Sequence, residues 1–256
     1  MLLSFSRVQR KPKEFKMIGK FELDPLVIDE SLAKGAMKRL ARECVDNVAN
    51  IHFVSNGGLK NMQKKTKSLF KDGSLSGFYI GERDCLAMLV IYDQVKEMFA
   101  GAYLAKVNGK YSIYDSDMRF SKHAIQRLIQ RLKMKNPRLD VAKAIHEQTK
   151  YAFTREAQRI INIQEKWRTP GLNSVDTALP YINNGELLGM WFTASTSDIN
   201  CTFVGRVVAK TFVDSQKLRE PQYAKCMEAY NSQLVAQISG EKMPHFSLIN
   251  ETSQTI

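Results

Sequence analysis

Residues 120–132, Phe-Ser-Lys-His-Ala-Ile-Gln-Arg-Leu-Ile-Gln-Arg-Leu, sort their side chains by chemistry at helical spacing. Ile125, Leu128, Ile129 and Leu132 recur on one face, while His123, Arg127 and Arg131 recur every four residues on another. A helix of this kind can dock its apolar stripe on a sheet. Its imidazole and two guanidiniums then face outward or line a cleft, an arrangement able to hold a phosphate. Ser121 is placed to cap the first turn, and Asn136-Pro137 closes the region by supplying the N-cap and first residue of the next helix.

The strands that such a helix needs can be found on both sides of it. Upstream, Phe78 to Ile80, Cys85 to Tyr92, Met98 to Val107 and Tyr111 to Tyr114 are rich in β-formers, and Asn108-Gly109 is a two-residue hairpin signal. The run from Leu86 to Tyr92 is also compatible with a buried helical turn, since a short apolar run does not reveal its period. Downstream, Glu186 to Ser195 and Ile199 to Val213 are the longest strand candidates, with Thr196-Ser197-Asp198 between them as a turn. Ile199, Cys201, Phe203, Val207 and Ala209 share one face of the second strand, Thr202, Arg206 and Lys210 share the other, and Gly205 marks a bulge or a close approach.

Further helices are expected over 30–50, with the stripe Leu32, Ala36, Leu40, Cys44 and Val48, and from Leu59 through Met62, Thr66 and Leu69. The second of these carries Lys60, Lys64, Lys65 and Lys67. A long helical pattern occupies 139–167, and a last one beyond Pro221 places Tyr223, Met227, Tyr230 and Leu234 in one row. The expected class is α+β in two segments. A basic arm, 1–20, precedes an α+β domain over 21–118; a helix-on-antiparallel-sheet unit follows over 119–239, and 240–256 form a flexible tail.

Charge narrows the partners. Thirty-eight Lys and Arg against 26 Asp and Glu give a net charge of +12, which favours a polyanionic partner such as nucleic acid over an acidic small molecule. Candidate contacts are Arg10, Lys11 and Lys13 in the arm, Arg155 and Arg159 in the long helix, and Arg206 on the strand. Cysteines 44, 85, 201 and 226 form no C-x-x-C pair and read as reduced thiols in the cytoplasm. No metal set, no cofactor motif and no apolar run long enough for a membrane is apparent. Asp115 and Asp117 read as a cap or loop before the helix; a metal-binding cluster with Asp84 and Glu186 would require convergence that spacing does not decide. His146, beside Ile145 in a helical pattern, reads as structural or solvent-facing.

One stretch carries a family resemblance. A helix opening Ser121-Lys-His-Ala and continuing Gln126-Arg-Leu-Ile-Gln-Arg131, followed by further helix and by a Gly-bearing hairpin ending Val207-Val-Ala-Lys-Thr-Phe-Val213, resembles the ribonuclease toxins of the barnase, EndoU, colicin and RelE-like superfamily. The resemblance covers residues 119–214. It implies a helix packed on an antiparallel sheet and RNA cleavage without a metal. His123 would be the catalytic histidine, Arg127 and Arg131 its basic followers, and Lys210 with Thr211 the polar pair on the last strand. A protein inhibitor is the partner that such toxins imply. The first 118 residues have no counterpart in this pattern, and the second helix is longer than these compact toxins need.

Chemistry sets the requirements independently. Metal-free cleavage needs a base for the 2′-hydroxyl proton, an acid for the leaving 5′-oxygen and cations for the charge growing on the phosphoryl oxygens. Three function classes are therefore expected: a metal-independent endoribonuclease, a DNA- or RNA-binding protein without catalysis, and a virion-associated or other protein-interaction module.

Overall fold

Both the chemistry and the stripe of residues 120–132 depend on which strands the helix meets. The computed structural model describes residues 30–45, 47–48, 58–71, 75–107, 110–152, 175–183, 186–197, 204–220, 224, 227, 231 and 246–248. Its elements are α1 (Glu30–Cys44), α2 (Leu59–Lys71), β1 (Gly77–Tyr79), β2 (Cys85–Asp93), β3 (Met98–Val107), β4 (Lys110–Ser121), α3 (Lys122–Arg131), α4 (Pro137–Ala152), β5 (Val175–Asn183), β6 (Glu186–Ser197), β7 (Val204–Asp214) and β8 (Phe246–Leu248). The class is α+β. Glu220, Ala224, Met227 and Asn231 are also helical, in the region of the last expected helix.

All eight strands belong to one sheet, ordered β1-β2-β3-β4-β7-β6-β5 with β8 also on β4. Neighbours are antiparallel except β4 and β7, which run parallel through Met118↔Val207, Arg119↔Val208 and Phe120↔Ala209. The boundary expected between 118 and 119 thus falls inside β4, and strands from both expected segments share the sheet. Within the stretch expected to be a flexible tail, Phe246–Leu248 pairs with β4.

β4 is longer than its β-former run. That run ends at Tyr114, because Asp115 and Asp117 favour turns, yet the strand continues to Ser121 across a bulge. Ala102 faces Asp115 while Ala100 faces Arg119, so the register shifts over the residues between. Arg119, only 8% exposed, holds this bulge: its guanidinium donates to the Asp115 carboxylate at 2.9 Å and also to the Ser116 carbonyl. There β4 changes partner along one edge, from β8 at residues 114–116 to β7 at 118–120.

Bulges also explain β7. Thr196↔Arg206 followed by Ser197↔Val204 leaves Gly205 as the extra residue, as its place in the run suggested. Phe192↔Thr211 followed by Thr193↔Ala209 does the same for Lys210, which is why Val207, Ala209 and Phe212 are all buried although alternation alone would turn Phe212 outward. Thr196 and Ser197 are strand residues, not the expected turn. β5 has no counterpart among the expected strands, because Pro180 discourages a strand assignment; β5 ends the strand order, where a missing N–H is tolerated.

Two cores lie against the sheet. The larger gathers Met37 and Leu40 of α1, Tyr103 and Phe120 of the sheet, Ile125, Leu128 and Ile129 of α3, and Ile145 of α4. Phe120, Trp191 and Phe212 meet edge to face there, with ring centroids 5.0 and 4.9 Å apart. The smaller core gathers Met62 of α2 with Leu86, Leu89, Ala102, Leu104 and Ile113. Since Met88 and Val90 join the first core and Leu89 the second, α2 covers the sheet face opposite α1, α3 and α4.

Helix ends follow their sequences. Ser121 Oγ accepts from the Ala124 N–H at 3.0 Å, and Ile125, Leu128 and Ile129 are fully buried while Leu132 is partly so. After α3, Lys133 adopts φ 46° and the Met134 N–H reaches the Ile129 carbonyl at 3.3 Å, closing the helix. The side chain of Asn136 accepts from the Leu139 N–H at 3.4 Å, as expected for the cap of α4. In α1 the buried face is Ala33, Met37, Leu40, Ala41 and Cys44. Leu32, read as part of the stripe, is 58% exposed, because the buried face of α1 is turned by one residue, to Ala33 and Met37.

Candidate functional site

β4 passes into α3 without a loop, so Ser121 is both the last strand residue and the helix N-cap. Because β4 runs parallel to β7, the start of α3 emerges beside the place where β7 reaches Lys210. Ser121 Oγ donates to the Lys210 carbonyl at 2.9 Å. His123 is exposed in the first turn, Lys210 is exposed on its bulge, and Thr211 is partly buried. Three of the five expected catalytic residues therefore gather at one end of the β4–β7 seam.

Arg127 and Arg131 are engaged elsewhere. Arg127 donates to Gln130 Oε1 at 2.8 Å and lies 3.8 Å from Glu30 of α1. Arg131 lies 3.2 Å from the Asp214 carboxylate at the end of β7. Lys122, next to His123, is 2.5 Å from Glu97, and that bond raises its pKa. Lys122, Arg127 and Arg131 of α3 are thus each paired with a carboxylate, from the β2–β3 connection, from α1 and from the end of β7.

Arg206 lies in β7 opposite Thr196, and Arg10, Lys11, Lys13, Arg155 and Arg159 fall outside the described residues. Asp115 is bound by Arg119, and among the described residues no group of three or more His, Cys, Asp or Glu gathers to hold a metal ion. Nor, among them, is any helix long and apolar enough to cross a membrane.

His146 is a core residue, not a solvent-facing one. Its Nδ1 is 3.2 Å from the Tyr103 hydroxyl, and Phe78 meets its ring edge-on at 5.1 Å. Burial, aided by Lys150, pushes the imidazole down to about 4, and burial raises the Tyr103 phenol. Both groups are neutral near pH 7. The Cys44 and Cys85 thiols are likewise buried and each pushed up to about 12, chiefly by desolvation, which leaves them unreactive.

One concentration of charge is visible in the sequence without an assigned role. α2 carries Lys60, Lys64, Lys65, Lys67 and Lys71, all exposed, and contains no acid. Among the described residues none of these five is paired with a carboxylate. Comparison with protein-family models, with curated proteins and with solved structures finds no match for the chain.

Proposed function

We propose that the protein binds nucleic acid, RNA before DNA, in the cytoplasm and without need of a cofactor. The observation that carries this reading is the distribution of its +12 charge. Cations on α3 are balanced inside the fold, whereas those on α2 meet no carboxylate among the described residues. An excess of unpaired cations attracts a polyphosphate, because each phosphate that is neutralised releases condensed counterions. The buried, protonated thiols suit a reducing compartment. Titrating the full chain into labelled RNA at several salt concentrations tests the reading. A log–log slope steeper than about −2 is expected, at about −0.7 to −0.9 for each neutralised phosphate, and no binding at low salt would refute it.

A second reading, metal-independent RNA cleavage with a protein inhibitor as partner, is favoured by one observation: His123 shares the end of the seam with Lys210 and Thr211. His123 would take the 2′-hydroxyl proton and Lys210 would offset charge on the phosphoryl oxygens. Arg127 and Arg131 would first have to leave Glu30 and Asp214. RNA incubated with the protein in EDTA decides between the two: new ends made by the wild type and absent with His123→Ala would establish cleavage, and intact RNA that is nevertheless bound leaves binding alone.

A further inference from the structure

We infer that the exposed face of α2 is a docking surface for the phosphate backbone of a nucleic-acid duplex, an inference that rests on the nucleic-acid reading above and gives it a place. Lys60, Lys64, Lys67 and Lys71 recur at i, i+4, i+7 and i+11, which keeps them on one side of the helix over a rise of about 16 Å. That rise is matched by roughly five phosphates of one strand, at about 3.4 Å of duplex axis for each. Asn61 and Ser68, both exposed, add uncharged donors beside the row, and Lys65 lies beyond them on the same side of the helix surface.

Three features select this partner over others. The apolar side of α2 is already used: Met62 is buried, and Leu59, Leu69 and Phe70 pack against the smaller core, so none is available to enter a bilayer as an interfacial helix requires. The exposed face offers no aromatic ring, and single-stranded nucleic acid is held largely by stacking on such rings. It also offers no arginine, the residue best suited to bidentate recognition of a guanine edge or a carboxylate. What remains is a row of flexible point charges. Such a row reads backbone charge without base sequence.

The surface is separate from the histidine helix. α2 covers one face of the sheet, and α1, α3 and α4 cover the other. α1 exposes four cations of its own, Lys34, Lys38, Arg39 and Arg42, on that other side of the molecule. They supply a control with the same change in net charge.

The experiment uses the full chain and compares wild type, the α2 variant Lys60→Gln/Lys64→Gln/Lys67→Gln/Lys71→Gln, and the α1 variant Lys34→Gln/Lys38→Gln/Arg39→Gln/Arg42→Gln. Glutamine keeps helix propensity, and unchanged thermal unfolding confirms that each variant is folded. Probes are mixed-sequence RNA and DNA duplexes, a single strand of the same composition, and anionic phospholipid vesicles, each titrated across a salt series. The expected result is duplex binding by the wild type whose log–log salt slope falls in magnitude by about 3 to 4 in the α2 variant, at about 0.9 for each phosphate no longer neutralised, and by less than about 1 in the α1 variant. Equal reductions in both variants, or none in the α2 variant, would overturn the inference while leaving nucleic-acid binding in place. Tighter binding of the single strand, or of vesicles, than of duplex would overturn the choice of partner. A wild type that binds no nucleic acid at low salt would remove the broader reading, and this inference with it.

Discussion

Arg131 and Asp214 stand 3.2 Å apart, joining the last turn of α3 to the end of β7. Both side chains are mostly covered, at 24% and 13% exposure, and the arginine also complements the negative end of its helix. Arg131→Ala is expected to destabilise the fold by about 1 kcal/mol and to leave the salt slope of RNA binding almost unchanged, because this guanidinium already has its counter-ion. Urea unfolding of Arg131→Ala, Asp214→Ala and the double variant measures the coupling. A slope reduced by the equivalent of one whole phosphate would instead return Arg131 to the nucleic-acid surface.

Leu128 is fully buried in the larger core, between α3 and the sheet. Leu128→Ala should cost about 2 to 5 kcal/mol, a loss of transfer energy with a cavity term added. The same substitution at Leu132, which is only partly buried, should cost clearly less. Chemical denaturation of the two variants side by side checks this order, and equal costs would mean that α3 does not dock as described.

Lys133 follows α3 with φ 46°, a backbone region that L-residues adopt at a cost and glycine does not. Lys133→Gly is therefore expected to stabilise the protein by about 0.5 to 1 kcal/mol, after allowing for the larger conformational freedom that glycine gives the unfolded chain. A raised thermal midpoint would bear this out. A lowered one would show that the lysine side chain contributes more than its backbone conformation costs.

His146 gives stability a defined pH dependence. Its folded pKa, about 4, lies below the unfolded value of 6.5, so between these two the unfolded chain binds more protons and stability falls as pH falls. The window opens below about 6.5 and closes near 4, with no pH dependence from this group above it. Going from about pH 7 to about pH 5 should remove about 2 kcal/mol, at 1.36 kcal/mol for each pH unit. His146→Gln, which can still bond to Tyr103, should be less sensitive than wild type over that interval in urea titrations. Parallel curves for the two proteins would count against this assignment.

The legible parts of this fold are those governed by neighbours in sequence. Ser121 and Asn136-Pro137 mark their helix starts, the two residues Asn108-Gly109 connect β3 to β4, and Gly205 marks a bulge, because caps, turns and glycines act within a few residues. Partner choice is not legible. Asp115 and Asp117 look like turn residues until Arg119 bridges back to Asp115, and nothing local announces that β4 will lie parallel to β7. For the candidate site, the spacing of His123, Arg127 and Arg131 is right as helix geometry. It cannot reveal Glu30 and Asp214, which reach those arginines only through tertiary folding.

The parallel seam between β4 and β7 has a consequence for the order of folding. Ser121 and Lys210, bonded across it, are 89 positions apart in sequence. The meanders β1-β2-β3-β4 and β5-β6-β7 join strands that are close along the chain, whereas the seam must close a long loop and is poorly rewarded until both meanders exist. The seam is thus expected to zip last, after the rate-limiting barrier. In stopped-flow experiments Ser121→Ala should speed unfolding and leave the folding rate nearly unchanged. A variant that folds more slowly by its whole loss of stability would place the seam in the nucleus instead.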